Sequence, residues 1–141
     1  MRFSPAYLFT FLLFSCSTAR HAPSSVEAAM QHYNRLILHS DADSIALLYT
    51  PDGELGEMAR GRDSISKFLS RFKSFHVLSQ QSTTGSISID HDSALQKGFY
   101  YQTTVIPEND TVRVKGAFTA KWLWMKAQGW HISRMDTRSA N

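Results

Sequence analysis

A single cysteine in 141 residues excludes an internal disulfide, because Cys16 has no second thiol to join. Proline is scarce too, and the two prolines beyond Pro23, Pro51 and Pro107, punctuate the region that must fold. No charge run, internal repeat or low-complexity tract is present. No phosphate-cradling loop, Cys/His cluster, His-Glu-x-x-His or nucleophile elbow can be found either, so neither a nucleotide nor a metal is expected, and no cofactor. No apolar run reaches the roughly 20 residues that a spanning helix needs. What the chain does have is 43% hydrophobic and 12% aromatic residues, enough for one domain to bury a core unaided. The formal charge of +3 is modest and mixed in sign, which argues against a nucleic-acid partner.

The N-terminus reads as a targeting signal. Met1-Arg2 gives a positive start, and Ala6 to Phe14 is apolar apart from Thr10, the length of a signal-peptide core. Leu13-Phe14-Ser15-Cys16 resembles a bacterial lipobox, which implies cleavage before Cys16 and lipidation of its thiol. The expected layout is therefore a signal peptide over 1–15, a polar tether over 16–24 and a folded domain over 25–138. The expected address is the cell envelope, with a membrane contact through Cys16; plain secretion is the alternative.

Ser24-Ser25-Val26-Glu27 has the form of a helix capping box. Val26, Ala29, Met30, Tyr33 and Ile37 follow at helical spacing, leaving His32 and His39 off the stripe as solvated residues. A second box, Ser40 to Asp43, opens a short helix through Tyr49, stopped by Pro51 in a turn over Thr50 to Gly53. An extended run from Glu54 to Met58 precedes a third helix, capped by Asp63-Ser64 and carrying Ile65, Phe68, Leu69 and Phe72. After Phe75 the period becomes two. Leu95, Phe99, Tyr101 and Val105 alternate with Gln96, Gly98 and Gln102, predicting the former set inward and the polar set outward. Val112, Val114, Phe118, Ala120, Trp122 and Trp124 share one face of a long strand, and Trp130 to Thr137 make the last one. In that strand Arg134 and Asp136 share parity with Trp130 and Ile132, predicting an inward ion pair, while His131 faces out. Short loops imply an antiparallel meander, so the layout is α+β: a curved sheet wrapped around N-terminal helices.

The order of helix, "HSDADSIALLYTPDGEL", "GRDSI", helix and a meander ending in "GWHISRMD" resembles the nuclear transport factor 2-like superfamily, and within it the SnoaL-like and ketosteroid-isomerase-like domains. The resemblance implies a cone-shaped, cystatin-like α+β barrel with a pocket between sheet and helices, and a homodimer through the outer sheet face. Carried over residue by residue, it places Tyr33 on the isomerases' helix-one tyrosine and Glu57 on their carboxylate base. The position of their protonated aspartic acid falls on Ala120, which donates nothing. A tyrosine donor and a base without the second donor would stabilise an enolate poorly.

The candidate catalytic residues are thus Tyr33 and Glu57, with Leu55, Phe118, Ala120, Trp122 and Asp136 expected to line the pocket. Parity with Leu55 turns Glu57 inward; an exposed Glu57 beside Arg60 or Arg62 is the alternative. Three functions fit: a tethered, non-enzymatic binder of a small apolar molecule, an isomerase, dehydratase or cyclase using Tyr33 and Glu57, and a dimeric interaction module. The missing donor at Ala120 favours the first and third over the second, and the tethered binder is the expected function.

Overall fold

The computed structural model describes residues 20–140. Helix α1 (Pro23–His39) is followed by α2 (Ala42–Leu47), β1 (Tyr49–Leu55), β2 (Ala59–Arg60) and α3 (Arg62–Leu69). Four long strands then complete the chain: β3 (His76–Asp90), β4 (Ser93–Val105), β5 (Thr111–Met125) and β6 (Gly129–Ser139). They form one six-stranded sheet in the order β2-β1-β6-β5-β4-β3. The expected α+β class and the curved sheet with helices packed on it are observed.

The sheet is mixed rather than wholly antiparallel. β3 to β6 are the predicted meander, but β1 pairs with β6 in parallel, Tyr49 opposite Ile132 and Leu55 opposite Met135. β2, α3 and strands β3 to β5 separate those two strands in sequence, so no hairpin constrains their direction. β3 carries irregularities between Val77 and Ser79 and between Thr84 and Ser86, where an extra residue bends and twists a strand.

The three helices and the four long strands lie where the periodicity predicts them, while the caps and the segment from Tyr49 to Gly53 differ. Pro23 sits at the first turn of α1, where a missing N–H costs nothing, and the N-cap is Ala22 without a side-chain cap. The expected capping box is not formed; the Glu27 carboxylate instead accepts from Gln31 on its own helix and from Thr84 on β3. Asp41 caps α2 by accepting from the Ser44 amide at 3.1 Å. Pro51 lies inside β1, not in a turn, within the span where the pairing with β6 shifts and no ladder donor is required. The end of the expected tether is packed on the domain: His21 meets Asp92 at 2.9 Å and stacks against Trp124 and Trp130, with ring centroids 4.3 and 4.9 Å away.

The core lies between α1, α2 and α3 and the concave side of the sheet. Val26 and Met30 of α1, Ile45 of α2 and Ile65 of α3 meet Trp122, Ile132 and Met135 from the strands. Trp122 is enclosed, and its indole N–H donates to Gln96 Oε1 at 3.0 Å. Gln96 Nε2 donates in turn to Thr84 Oγ1 at 2.9 Å and to Glu27 Oε2 at 3.3 Å, so this buried polar set is connected throughout.

Candidate small-molecule site

Between α1, α3 and the concave sheet lies a cavity of about 260 Å³. Its apolar wall comes from Met30 and Ile37 of α1, Leu55 of β1, Phe68 and Leu69 of α3, Phe118 of β5 and Met135 of β6, with the exposed Met58 at its edge. Its polar wall comes from Tyr33 and Asn34 of α1, Gln80 and Ser82 of β3, Tyr100 and Gln102 of β4, and Thr137 of β6. None of the sixteen lining residues is Asp, Glu, His, Lys or Arg. A second cavity of about 180 Å³ adjoins it, sharing Ile37, Leu69 and Gln102. For scale, an engineered apolar cavity of about 150 Å³ takes benzene. The larger space here therefore suits a molecule of one or two rings.

The helical period places Tyr33 and Asn34 on the face of α1 turned to the sheet. Desolvation raises the Tyr33 phenol pKa, and the neighbouring Tyr49 phenol offsets this in part. Tyr49, at the start of β1, is fully enclosed, and its pKa is pushed well up by burial and by Tyr33. The two phenols are close enough to influence each other's ionisation, yet among the described residues no hydrogen bond of normal geometry reaches the Tyr49 hydroxyl. Both therefore stay neutral at physiological pH, as donors or acceptors rather than bases.

Bridging α1 and β3, Asn34 Nδ2 donates to Ser82 Oγ at 2.7 Å and Gln80 Nε2 donates to Asn34 Oδ1 at 3.3 Å. Gln102 Nε2 donates to Thr104 Oγ1 at 2.8 Å.

Of the residues singled out by sequence, Tyr33, Leu55 and Phe118 line this cavity together. Ala120 and Trp122 are enclosed in the core and do not line it. Glu57 does not face it at all. Gly56 adopts φ +52°, and Met58 N–H closes a turn on the Leu55 carbonyl at 3.0 Å, so the strand period ends at Leu55. The Glu57 side chain is 92% exposed and pairs with Arg134 at 2.7 Å. Asp136 is also outside. An irregularity in the β5–β6 pairing lets Trp122 face Ile132 while Lys121 faces Arg134, so Ser133 is an extra residue and every later side chain changes face. Met135 and Thr137 thereby reach the cavity, and Arg134 joins Asp136, Glu54 and Glu57 on the outside. That ring of carboxylates, Asp136 first, raises the Arg134 pKa further. The pair of Arg134 and Asp136 is real but outward, and His131 is buried rather than exposed. Cys16 lies outside the described residues.

The largest correction concerns β4. Gln96, Gly98, Gln102 and Thr104 face inward, whereas Phe99 and Tyr101 are 60% and 57% exposed. The signal that identifies this is the hairpin. Ile106 and Asp110 bond across the turn, and the register pairs Gly98 with Phe118 and Gln96 with Ala120, so even-numbered residues of β4 share a face with even-numbered residues of β5. Once Phe118 is placed inward, Gln96 and Gln102 must follow.

No protein-family model matches the chain, and neither does any curated protein. Its fold recurs among solved structures. A ketosteroid isomerase-like protein from Erwinia carotovora atroseptica superposes with a TM-score of 0.73 at 16% identity, covering 84% of this chain and 95% of that one. A Salmonella enterica protein of the nuclear transport factor 2-like superfamily gives 0.70 at 13% identity, covering 84% and 90%. An ntf2-like protein with a cystatin-like fold from Novosphingobium aromaticivorans gives 0.69 at 15%, covering 84% and 81%. At these identities the likeness is one of architecture: the chain has the nuclear transport factor 2-like, cystatin-like α+β fold.

Proposed function

We propose that this protein binds a neutral, mostly apolar small molecule in the cavity between α1 and the sheet, held at the cell envelope by a lipid on Cys16. One observation carries the binding reading: the cavity mixes apolar side chains with neutral amides, hydroxyls and phenols, and among the described residues no carboxylate, imidazole or ammonium lines it. Such a wall orients and desolvates a ligand but offers no group of suitable pKa to take up or release a proton near pH 7. The carboxylate that acid–base chemistry would need, Glu57, is on an exterior turn engaged by Arg134. Titration with a panel of fluorescent apolar ligands tests the reading. Saturable binding that Tyr33→Ala weakens and Glu57→Gln leaves unchanged is expected. An isomerase rate abolished by Glu57→Gln would overturn it. Mass spectrometry of the membrane fraction, with Cys16→Ser as control, tests the tether; a soluble wild-type chain beginning elsewhere would defeat that part alone.

A second copy of the chain is the proposed partner on the convex side of the sheet. Phe99 and Tyr101, two positions apart on one face of β4, stand there 60% and 57% exposed, and adjacent exposed aromatics mark a surface suited to a partner. Sedimentation analysis of the wild type and of Phe99→Lys should show a dimer that the substitution dissociates. A monomer at all concentrations would refute it.

A further inference from the structure

Gln80 and Gln102 are direct partners across the β3–β4 ladder, and both line the cavity. Directly opposed side chains have Cβ atoms about 4.5–5.5 Å apart, within reach of one functional group. Each carboxamide nitrogen gives one of its N–H groups to a neighbour: Gln80 Nε2 donates to Asn34 Oδ1, Asn34 Nδ2 donates to Ser82 Oγ, and Gln102 Nε2 donates to Thr104 Oγ1. The two oxygens are left over. Among the described residues, Gln80 Oε1 is buried with no hydrogen-bond partner and Gln102 Oε1 receives no donor. Buried acceptors are almost always satisfied, and a buried acceptor left idle beside a cavity marks where a partner is missing.

We propose that the paired Gln80 and Gln102 oxygens form a subsite that selects ligands carrying a hydroxyl or N–H donor. This rests on the cavity being a binding site and adds what the ligand must present to it. A ligand ammonium is disfavoured, because no carboxylate lines the cavity to balance its charge. A ligand carboxylate is disfavoured as well, since two carbonyl oxygens would face its negative charge. The selected class is therefore a compact, neutral, one- or two-ring molecule bearing an alcohol, phenol or amide N–H. Discrimination follows from the asymmetry of buried hydrogen bonding, in which filling the site with a group that cannot donate leaves both acceptors dehydrated.

The test uses a matched pair of fluorescent ligands, 2-naphthol and 2-methoxynaphthalene, which differ in one donor. Wild-type protein should bind the naphthol about tenfold more tightly. Gln80→Met and, separately, Gln102→Met keep side-chain length while removing the acceptor. Each should cut that preference to less than about threefold with the ether's affinity retained, which also shows that the variant is folded. If the wild type binds both ligands without preference, or prefers the ether, the subsite is refuted while the binding cavity stands. A preference that survives both substitutions refutes it equally. If neither ligand binds, the cavity reading falls and takes the subsite with it.

Discussion

The two faces of β4 carry opposite chemistry, and not in the usual sense. The concave face holds Gln96, Gln102 and Thr104 in enclosed or half-enclosed positions, whereas the convex face exposes Phe99 and Tyr101. A strand read for polarity alone would be turned the other way. What decides its direction is the neighbour: β5 fixes its own large apolar residues, Phe118 and Trp122, toward the helices, and pairing transmits that choice to β4. The inward glutamines are tolerated because each finds partners. Gln96 joins Trp122, Thr84 and Glu27, and Gln102 joins Thr104. The outward aromatics supply the apolar patch proposed for a second copy.

The comparison breaks most readily at Trp122, which anchors the inward face. Trp122→Ala should cost about 3–5 kcal/mol by removing an enclosed indole and stranding the Gln96 carbonyl. A chemical denaturation midpoint measures this, and a loss below about 1 kcal/mol would mean that the face is not the packed one.

Gly98 sharpens it next. A Cβ there would overlap the Thr83 carbonyl oxygen and lie 2.8 Å from the Phe118 ring. Gly98→Ala should destabilise by about 1–3 kcal/mol through overpacking. The same change at exposed Gly85, where a Cβ would meet only the Lys97 carbonyl oxygen at 3.5 Å, should register within about 0.5 kcal/mol, and equal effects at both sites would contradict the close packing at Gly98.

The phenol pair gives a pH signature. Burial raises both the Tyr33 and Tyr49 pKa values above the ordinary value of about 10. The folded state thus holds these protons more tightly than the unfolded chain. Their contribution to stability is complete below about pH 10 and declines as pH rises from there through the folded-state values. Ultraviolet titration of tyrosinate should show Tyr33 and Tyr49 ionising above the ordinary value of about 10, together with alkaline unfolding. Tyr49→Phe removes a hydroxyl that makes no hydrogen bond of normal geometry among the described residues and should leave stability unchanged or slightly raised, by at most about 1 kcal/mol. A loss beyond that amount would show that the hydroxyl is engaged.

The smallest effect belongs to the exterior ion cluster. Glu57 is 92% exposed, so Glu57→Gln should move the denaturation midpoint by less than about 0.5 kcal/mol.

The sequence by itself determined the types and order of the elements: the helical stripe from Val26 to Ile37, the short helix after Asp41, the helix of Ile65 and Phe68, and the change of period after Phe75. These follow from nearest-neighbour chemistry, which the chain carries within a few residues. It also supplied Tyr33, Leu55 and Phe118 as cavity residues, because each lies on a face whose period is unbroken up to that point. Tertiary structure decided the rest. A single extra residue at Ser133 exchanged Arg134 and Asp136 for Met135 and Thr137, one left-handed glycine at 56 took Glu57 out of the cavity, and the hairpin register turned Gln102 inward. A strand has only two faces, so any one-residue shift reverses all that follows it. The energy that chooses between the faces comes from partners distant in sequence, and parity along one strand cannot report them.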